Sequence, residues 1–465
     1  MNHRHVLAGF CALILSAPTV LAAERVDRLY AQYCASCHGD KLQGGAGPSL
    51  LGPAWKHGAD DESLKRSILK GQPDAGMPGF AAMLDEAATR GLVIFIREAG
   101  QRAANATADT PAPFPDTVTR SEEHAYRLET VATGLESPWG MAWLPDGRML
   151  VTERAGPLRI VGPDGLEPEA IQGTPEVWAR GQGGLLAVSV HPEYTQNGWI
   201  YLGFSDPAED GRAMTAIVRG RIRDGVWVDQ EDIFRAPRDL YRNSGVHFGT
   251  RIVFQDGYLF FSIGDRGAQQ QAQDLSRPNG KVHRLHDDGR VPADNPFVKT
   301  PGALPSIWSY GNRNPQGLAL HPATGELWST EHGPRGGDEL NLIQPGRNYG
   351  WPAITHGMNY NGTPITAETN REGMEQPVVH WTPSLAVCGI GFYTGDAFPE
   401  WQNQLFVTSL AAQELRRVVV DNQRRAVHQE VIFKGIGRLR DVATGPDGLL
   451  YVSMENPGRI VRLKP

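Results

Sequence analysis

The chain has 465 residues, of which 21% are charged and 40% hydrophobic, and a formal net charge of −7. That length calls for two or more domains with a sizeable core, and the dispersed basic residues exclude a nucleic-acid partner. Fifty-four Gly and 34 Pro argue for a body of short strands and turns.

Residues 1–23 place Arg4 before an apolar run from Val6 to Leu15 and end in small residues at Ala22-Ala23. This is the pattern of a cleavable export signal, too short to span a membrane. It predicts a periplasmic protein, cut near Ala22 or Ala23. Cys11 follows Phe10 rather than a small residue, which argues against a lipid anchor, and no later run is long and apolar enough for a transmembrane helix.

Cys34-Ala35-Ser36-Cys37-His38 follows. C-x-x-C-H is the attachment pattern of haem c: two thiols add to the porphyrin vinyl groups and the adjacent histidine becomes an axial ligand. Cys34 and Cys37 are therefore the expected attachment points and His38 the expected iron ligand. With Cys388 as the remaining mature cysteine, no internal disulfide is left. A helix is expected around Asp61–Leu69 and a closing helix from Leu84 to about Glu98, apolar at Leu84, Ala88, Leu92, Phe95 and Ile96. Between them, Gly76-Met77-Pro78-Gly79 holds a methionine in a Pro/Gly loop. Met77 is the expected sixth iron ligand, whereas Met83, beside the helix start, is assigned to core packing. Residues 24–100 thus resemble a small class I cytochrome c, an all-α domain, and residues 101–122, rich in Ala, Thr and Pro, read as an exposed linker.

From residue 123 to 465 one phrase recurs: an apolar strand, a polar turn, a second apolar strand. Copies begin near Gly140, Leu186, Arg251, Gly317, Gly391 and Asp441, spaced by about 45 to 75 residues. Turns such as Asp146-Gly147, Asp256-Gly257 and Asp447-Gly448 suit tight hairpins. Six such units closing radially predict a six-bladed β-propeller, so the fold class is mainly β with a small helical domain in front. Chemistry is expected in the polar segments between the hairpins, above all Gly245–Gly249, Gly264–Gln270, Gly311–Gln316, Glu331–Glu339 and Arg438–Asp441. Arginine forks, amides and carbonyl-rich loops suit a planar polyanionic cofactor with a hard cation.

The phrases Gly245-Val246-His247-Phe248-Gly249, Trp308-Ser309-Tyr310-Gly311-Asn312-Arg313-Asn314-Pro315-Gln316-Gly317, Glu331-His332-Gly333-Pro334-Arg335-Gly336-Gly337-Asp338-Glu339 and Asn348-Tyr349-Gly350-Trp351-Pro352 resemble the soluble sugar dehydrogenases that use pyrroloquinoline quinone (PQQ), closest to their aldose sugar dehydrogenase branch. The resemblance implies His247 as the general base at the sugar's anomeric hydroxyl, with Arg313 and Asn314 at the reactive carbonyls of the quinone. It places Gln182 and Gln270 in the same pocket and Arg438 and Arg440 at the cofactor's carboxylates. Gly333 and Pro334 would hold the PQQ-associated Ca²⁺ through backbone carbonyls, and Glu339 and Tyr349 a second, structural Ca²⁺.

Two positions depart from that pattern. Ala411 stands where the family commonly has a lysine touching PQQ, with Lys434 and Arg416 as candidate replacements, and Val246 stands where the glucose dehydrogenase branch has an acidic residue. The implied function is oxidation of an aldose to its lactone, with electrons passing to the fused haem c and on to a soluble cytochrome or respiratory oxidase. The alternatives are a dehydrogenase of another sugar-derived aldehyde such as sorbosone, and a non-catalytic binding propeller carrying a cytochrome.

Overall fold

In the computed structural model, residues 24–52, 55–105, 114–115 and 117–465 are described, so the expected export signal lies outside them, as does most of the linker's middle. The N-terminal module consists of α1 (Val26–Tyr33), α2 (Ala35–His38), α3 (Asp61–Lys70) and α4 (Glu86–Asn105). Helix α3 begins at an Asp60 cap, whose carboxylate accepts the Ser63 amide at 2.8 Å. Helix α4 runs to Asn105, beyond the boundary expected at residue 100, because Arg102, Ala103 and Ala104 are strong helix formers that extend it. Val26, Leu29, Tyr30, Leu64, Ile68, Phe80, Leu84, Leu92 and Ile96 form one core. Met83 is not part of it. Its side chain is 48% exposed, because the short turn after Phe80 directs it outward.

The rest of the chain closes into six antiparallel sheets. Their innermost strands are Pro138–Trp143, Leu185–Val190, Ile252–Gln255, Pro315–Leu320, Val387–Phe392 and Arg438–Thr444. Each begins one of the six repeated hairpins. At Asp256-Gly257 both turn residues have positive φ (52° and 78°), the conformation a two-residue hairpin needs between the paired Gln255 and Tyr258. The sixth sheet is completed by Ala125–Thr133, which pairs with the C-terminal strand Arg459–Lys464 and so ties the two ends of the propeller together. Hydroxyls on second strands donate to carbonyls of the next blade: Thr152 to Leu186 (2.5 Å), Ser262 to Pro315 (2.9 Å) and Thr330 to Cys388 (2.5 Å). These bonds bring the inner strands, and the loops after them, to a common centre. Among the described residues no helix is long and apolar enough to cross a membrane.

Candidate active site

His247 stands in a short loop between blades, held in the left-handed region at φ 55°. A non-glycine residue there stores backbone strain, and the surroundings must impose it. They do so from three blades. The Gln182 side chain accepts the His247 amide at 2.7 Å, and Nδ1 of the imidazole bonds Oδ1 of Asp265 at 2.6 Å. Oδ2 of Asp265 in turn accepts the indole N–H of Trp351 at 2.8 Å, and the Gly267 amide donates to Oδ1 at 2.7 Å. Gly264 permits the close approach, since a Cβ there would stand 2.4 Å from the His247 carbonyl and 2.8 Å from Oδ1 of Asn314.

This arrangement fixes the state of the ring. Burial draws the imidazole below its usual value and Arg313 adds to that, against the pull of Asp265. Burial also raises Asp265, but its bond to His247 and the charges of His247 and Arg313 outweigh this and hold it below the usual carboxylate value. The result is a neutral histidine with its proton on Nδ1. Nε2, which has no hydrogen-bond partner among the described residues, remains for a substrate hydroxyl.

Arg313 and Asn314 lie beside this dyad. The Arg313 amide donates to Glu331 at 2.6 Å, while its guanidinium reaches the carbonyls of His332 (3.0 Å) and Gly333 (2.6 Å) and the Tyr360 hydroxyl at 3.5 Å. Asn314 accepts the Gly249 amide at 3.2 Å, and its buried Nδ2 has no partner. Arg440 binds Gln316 (2.8 Å), the Cys388 sulfur (3.2 Å) and Glu455 (3.0 Å), while Arg438 reaches Glu455 at 3.4 Å. Nε of both Arg313 and Arg440 is buried without a partner. Unsatisfied buried donors on two arginines and an amide, in a ring of loops, suit a polyanionic planar ligand such as PQQ. Gln270 is exposed. Asp441 serves Arg251 (3.0 Å) rather than the neighbouring arginines. Lys434 and Arg416, the candidate substitutes for the lysine absent at Ala411, both pair with Glu414.

The segment Glu331–Glu339 carries residues of both sets expected to hold cations, and the two sets are unequally free to do so. Gly333 donates its amide to Asp338 (2.9 Å) and could carry no side chain, since a Cβ would lie 2.1 Å from the Gly337 carbonyl. Its carbonyl is taken by Arg313, so a cation held by Gly333 and Pro334 requires that guanidinium to turn away. The second set is ready-made. Glu331 and Glu339 face one another across the Asn341 amide, which donates to both (3.2 and 3.0 Å). Burial, with the neighbouring charge of Glu339, raises Glu331 well above the carboxylate range, and burial raises Glu339 to about 7. Tyr349 lines the same cavity, with its hydroxyl committed to the Leu342 carbonyl (2.5 Å). Crowded oxygens with an unpartnered Asn341 Oδ1 fit a hard cation.

In the helical module, Nδ1 of His38 bonds the Pro48 carbonyl at 2.8 Å, leaving Nε2 for iron. Cys34 and Cys37 are free, and Met77 is half-buried against the module's core. The donor set fits a c-type haem.

The model of the "Glucose / Sorbosone dehydrogenase" family matches residues 135–462. The chain belongs to that family. Residues 21–96 match the model "Cytochrome C oxidase, cbb3-type, subunit III", so this sugar dehydrogenase carries an N-terminal cytochrome c domain. The chain is 43% identical to the aldose sugar dehydrogenase YliI of Escherichia coli (strain K12), over 73% of this chain and 92% of the relative. The apo structure of the soluble aldose sugar dehydrogenase from Escherichia coli superposes with a TM-score of 0.69 at 42% identity, covering 73% of this chain and 99% of that one. The PQQ-bound aldose sugar dehydrogenase of Streptomyces coelicolor gives 0.61 at 28% identity, covering 76% and 99%. The chain is therefore an oxidoreductase of the PQQ-dependent sugar dehydrogenase type.

The sequence assigns no role to Asp265, Trp351, Glu331 or Glu455. Asp265 had a readable signal, an acid in a Gly-rich turn one blade segment after the base. Glu455 had none, because its contact with Arg440 depends on a register irregularity between two adjacent strands of the sixth blade.

Proposed function

We propose that this protein is an exported quinohaemoprotein that oxidises aldoses at the anomeric carbon to lactones and delivers the electrons to its own haem c. The observation that carries the reading is the His247–Asp265–Trp351 chain of hydrogen bonds, at 2.6 and 2.8 Å, beside the unsatisfied donors of Arg313 and Asn314. His247 takes the hydroxyl proton at Nε2. Asp265 holds the ring in the required tautomer and stabilises the imidazolium that results. Arg313 and Asn314 face the position where negative charge develops as hydride leaves the sugar. Arg438, Arg440 and Gln182 would hold PQQ, which would supply the hydride-accepting carbonyl when bound, and the Gly333 and Pro334 carbonyls would hold a Ca²⁺ that would supply Lewis-acid polarisation. Cys34, Cys37, His38 and Met77 would hold the haem that takes the electrons onward to a soluble cytochrome or respiratory oxidase. A sorbosone-like aldehyde is the second reading, favoured by Val246, which puts an apolar side chain beside the base.

The test is haem reduction on adding a panel of aldoses to protein loaded with PQQ and Ca²⁺. Sugar-dependent reduction supports the reading. Loaded protein that passes no electrons from any aldose, either to haem or to a dye, refutes it.

A further inference from the structure

Helix α4 presents Arg90, Ile94 and Glu98 on one face, at the four-residue spacing that aligns side chains, and this face lies against the propeller. Arg90, only 5% exposed, donates to the carbonyls of Thr366 and, at 3.2 Å, Ala367. Glu98 forms a forked pair with Arg335, at 2.6 and 2.8 Å. Between them Ile94 meets Gly336 so closely that a Cβ on the glycine would stand 3.2 Å from it. Met358 is 2% exposed and belongs to the cytochrome's own hydrophobic core. The Val26 amide donates to Gly362 at 2.9 Å.

The receiving surface is part of the candidate active site. Arg335 directly follows Pro334 and pairs by its backbone with Met358 (2.9 and 3.0 Å). Two residues beyond Met358, Tyr360 meets the Arg313 guanidinium. One hairpin therefore has Met358 inside the cytochrome core and its tip against an arginine of the quinone pocket. The seam is not uniformly tight, since a cleft of about 440 Å³, lined in part by Asp61, Lys65, Arg97, His356 and His380, opens beside it. The forked ion pair and the Met358 contact are its closed points.

We propose that the cytochrome is docked rather than merely tethered. The Arg90–Ile94–Glu98 face and the seat formed by residues 334–337 and 358–362 are a standing interface that fixes the haem module at the rim of the quinone pocket, and electrons leave the pocket across it. This rests on the function proposed above. Each sugar oxidised requires two one-electron crossings, with the two protons released to buffer, and a one-electron acceptor such as ferricyanide regenerates ferric iron between them.

The experiment uses the full holoprotein with Glu98→Arg alone, and with Glu98→Arg combined with Arg335→Glu. Sugar-driven haem reduction is followed by stopped flow, sugar-driven reduction of a phenazine dye is measured separately, and hydrogen exchange of the Val26 amide is measured without sugar. Glu98→Arg should slow haem reduction about tenfold or more, leave dye reduction unchanged and expose Val26. The double swap should restore both haem reduction and protection. Lengthening the 106–113 segment with Gly and Ser should change neither. Fast haem reduction despite an unprotected Val26, or an unprotected Val26 in the wild type, would overturn the proposal, as would a rate that follows linker length. Failure of dye reduction in the wild type would instead refute the sugar dehydrogenase reading, while the Val26 measurement would still decide the docking.

Discussion

The two candidate cofactor sites are built in opposite ways. In the cytochrome, Cys34, Cys37 and His38 fall within one turn of chain, and the partner that orients His38 is Pro48, ten residues on. In the propeller, His247 depends on Gln182, 65 residues away, and its Asp265 depends on Trp351, 86 residues away. Arg440 is held by Gln316 at a separation of 124. A local motif can identify a cofactor. A site assembled across blades identifies itself only when the ring closes. The two regions should therefore respond differently to single changes, with the cytochrome failing ligand by ligand and the propeller failing through positioning groups far away in sequence.

The largest effect is expected at the base. His247→Ala should lower sugar-dependent dye reduction by about 10²- to 10⁴-fold, the usual contribution of a positioned general base, while the haem spectrum stays unchanged. A loss below tenfold would remove His247 from the chemistry.

Asp265→Asn comes next, and it separates positioning from chemistry. The variant should lose about tenfold to a hundredfold in turnover, the usual cost of leaving a buried donor without its charged partner, because nothing then fixes the Nδ1 proton. It should also move the acid limb of the pH profile. Both the hydrogen bond and the charge of Asp265 raise the imidazole pKa, so removing them lowers it further. The neutral form then persists to lower pH, and the acid limb shifts downward even as the plateau falls. A purely structural Asp265 would lower the plateau and leave the limb in place.

The contrast also explains what could be read in advance. The six hairpins were visible because each is local, an alternating pattern around a polar turn that is Asp-Gly in three of them, and all six form the first two strands of a blade. The haem signature was visible for the same reason. The pairing of Arg440 with Glu455 rather than Asp441 was not, because an irregularity in the strand at residues 439–441 sets its register against the adjacent strand that carries Glu455, and Asp441 is taken by Arg251 of another blade. Met83 is exposed rather than in the core, because a place beside the helix start does not fix which way the preceding turn points a side chain.

Calcium removal tests the propeller at a smaller scale. With Ca²⁺ at about a hundred times its dissociation constant, the propeller should gain about 2.7 kcal/mol, seen as a higher Tm. Glu339→Gln should abolish most of that gain, since it removes one of the two facing carboxylates. An undiminished gain in the variant would place the stabilising ion elsewhere.

The smallest effect belongs to the cytochrome, and it probes whether that site is as local as its sequence implies. Met77 is half-buried against the core, and Gln72 and Met77 exchange backbone bonds at 2.9 and 3.1 Å that hold its loop. Met83 is 48% exposed. Met77→Leu should remove the thioether from the iron, lowering the haem potential and changing the spectrum, because Met/His ligation is what raises the potential of such haems. Met83→Leu should leave both untouched and change stability by no more than about 0.5 kcal/mol. If Met83→Leu alters the spectrum and Met77→Leu does not, the loop between Pro78 and Leu84 must refold around the haem. The cytochrome would then share with the propeller a site that completes itself only in the assembled fold.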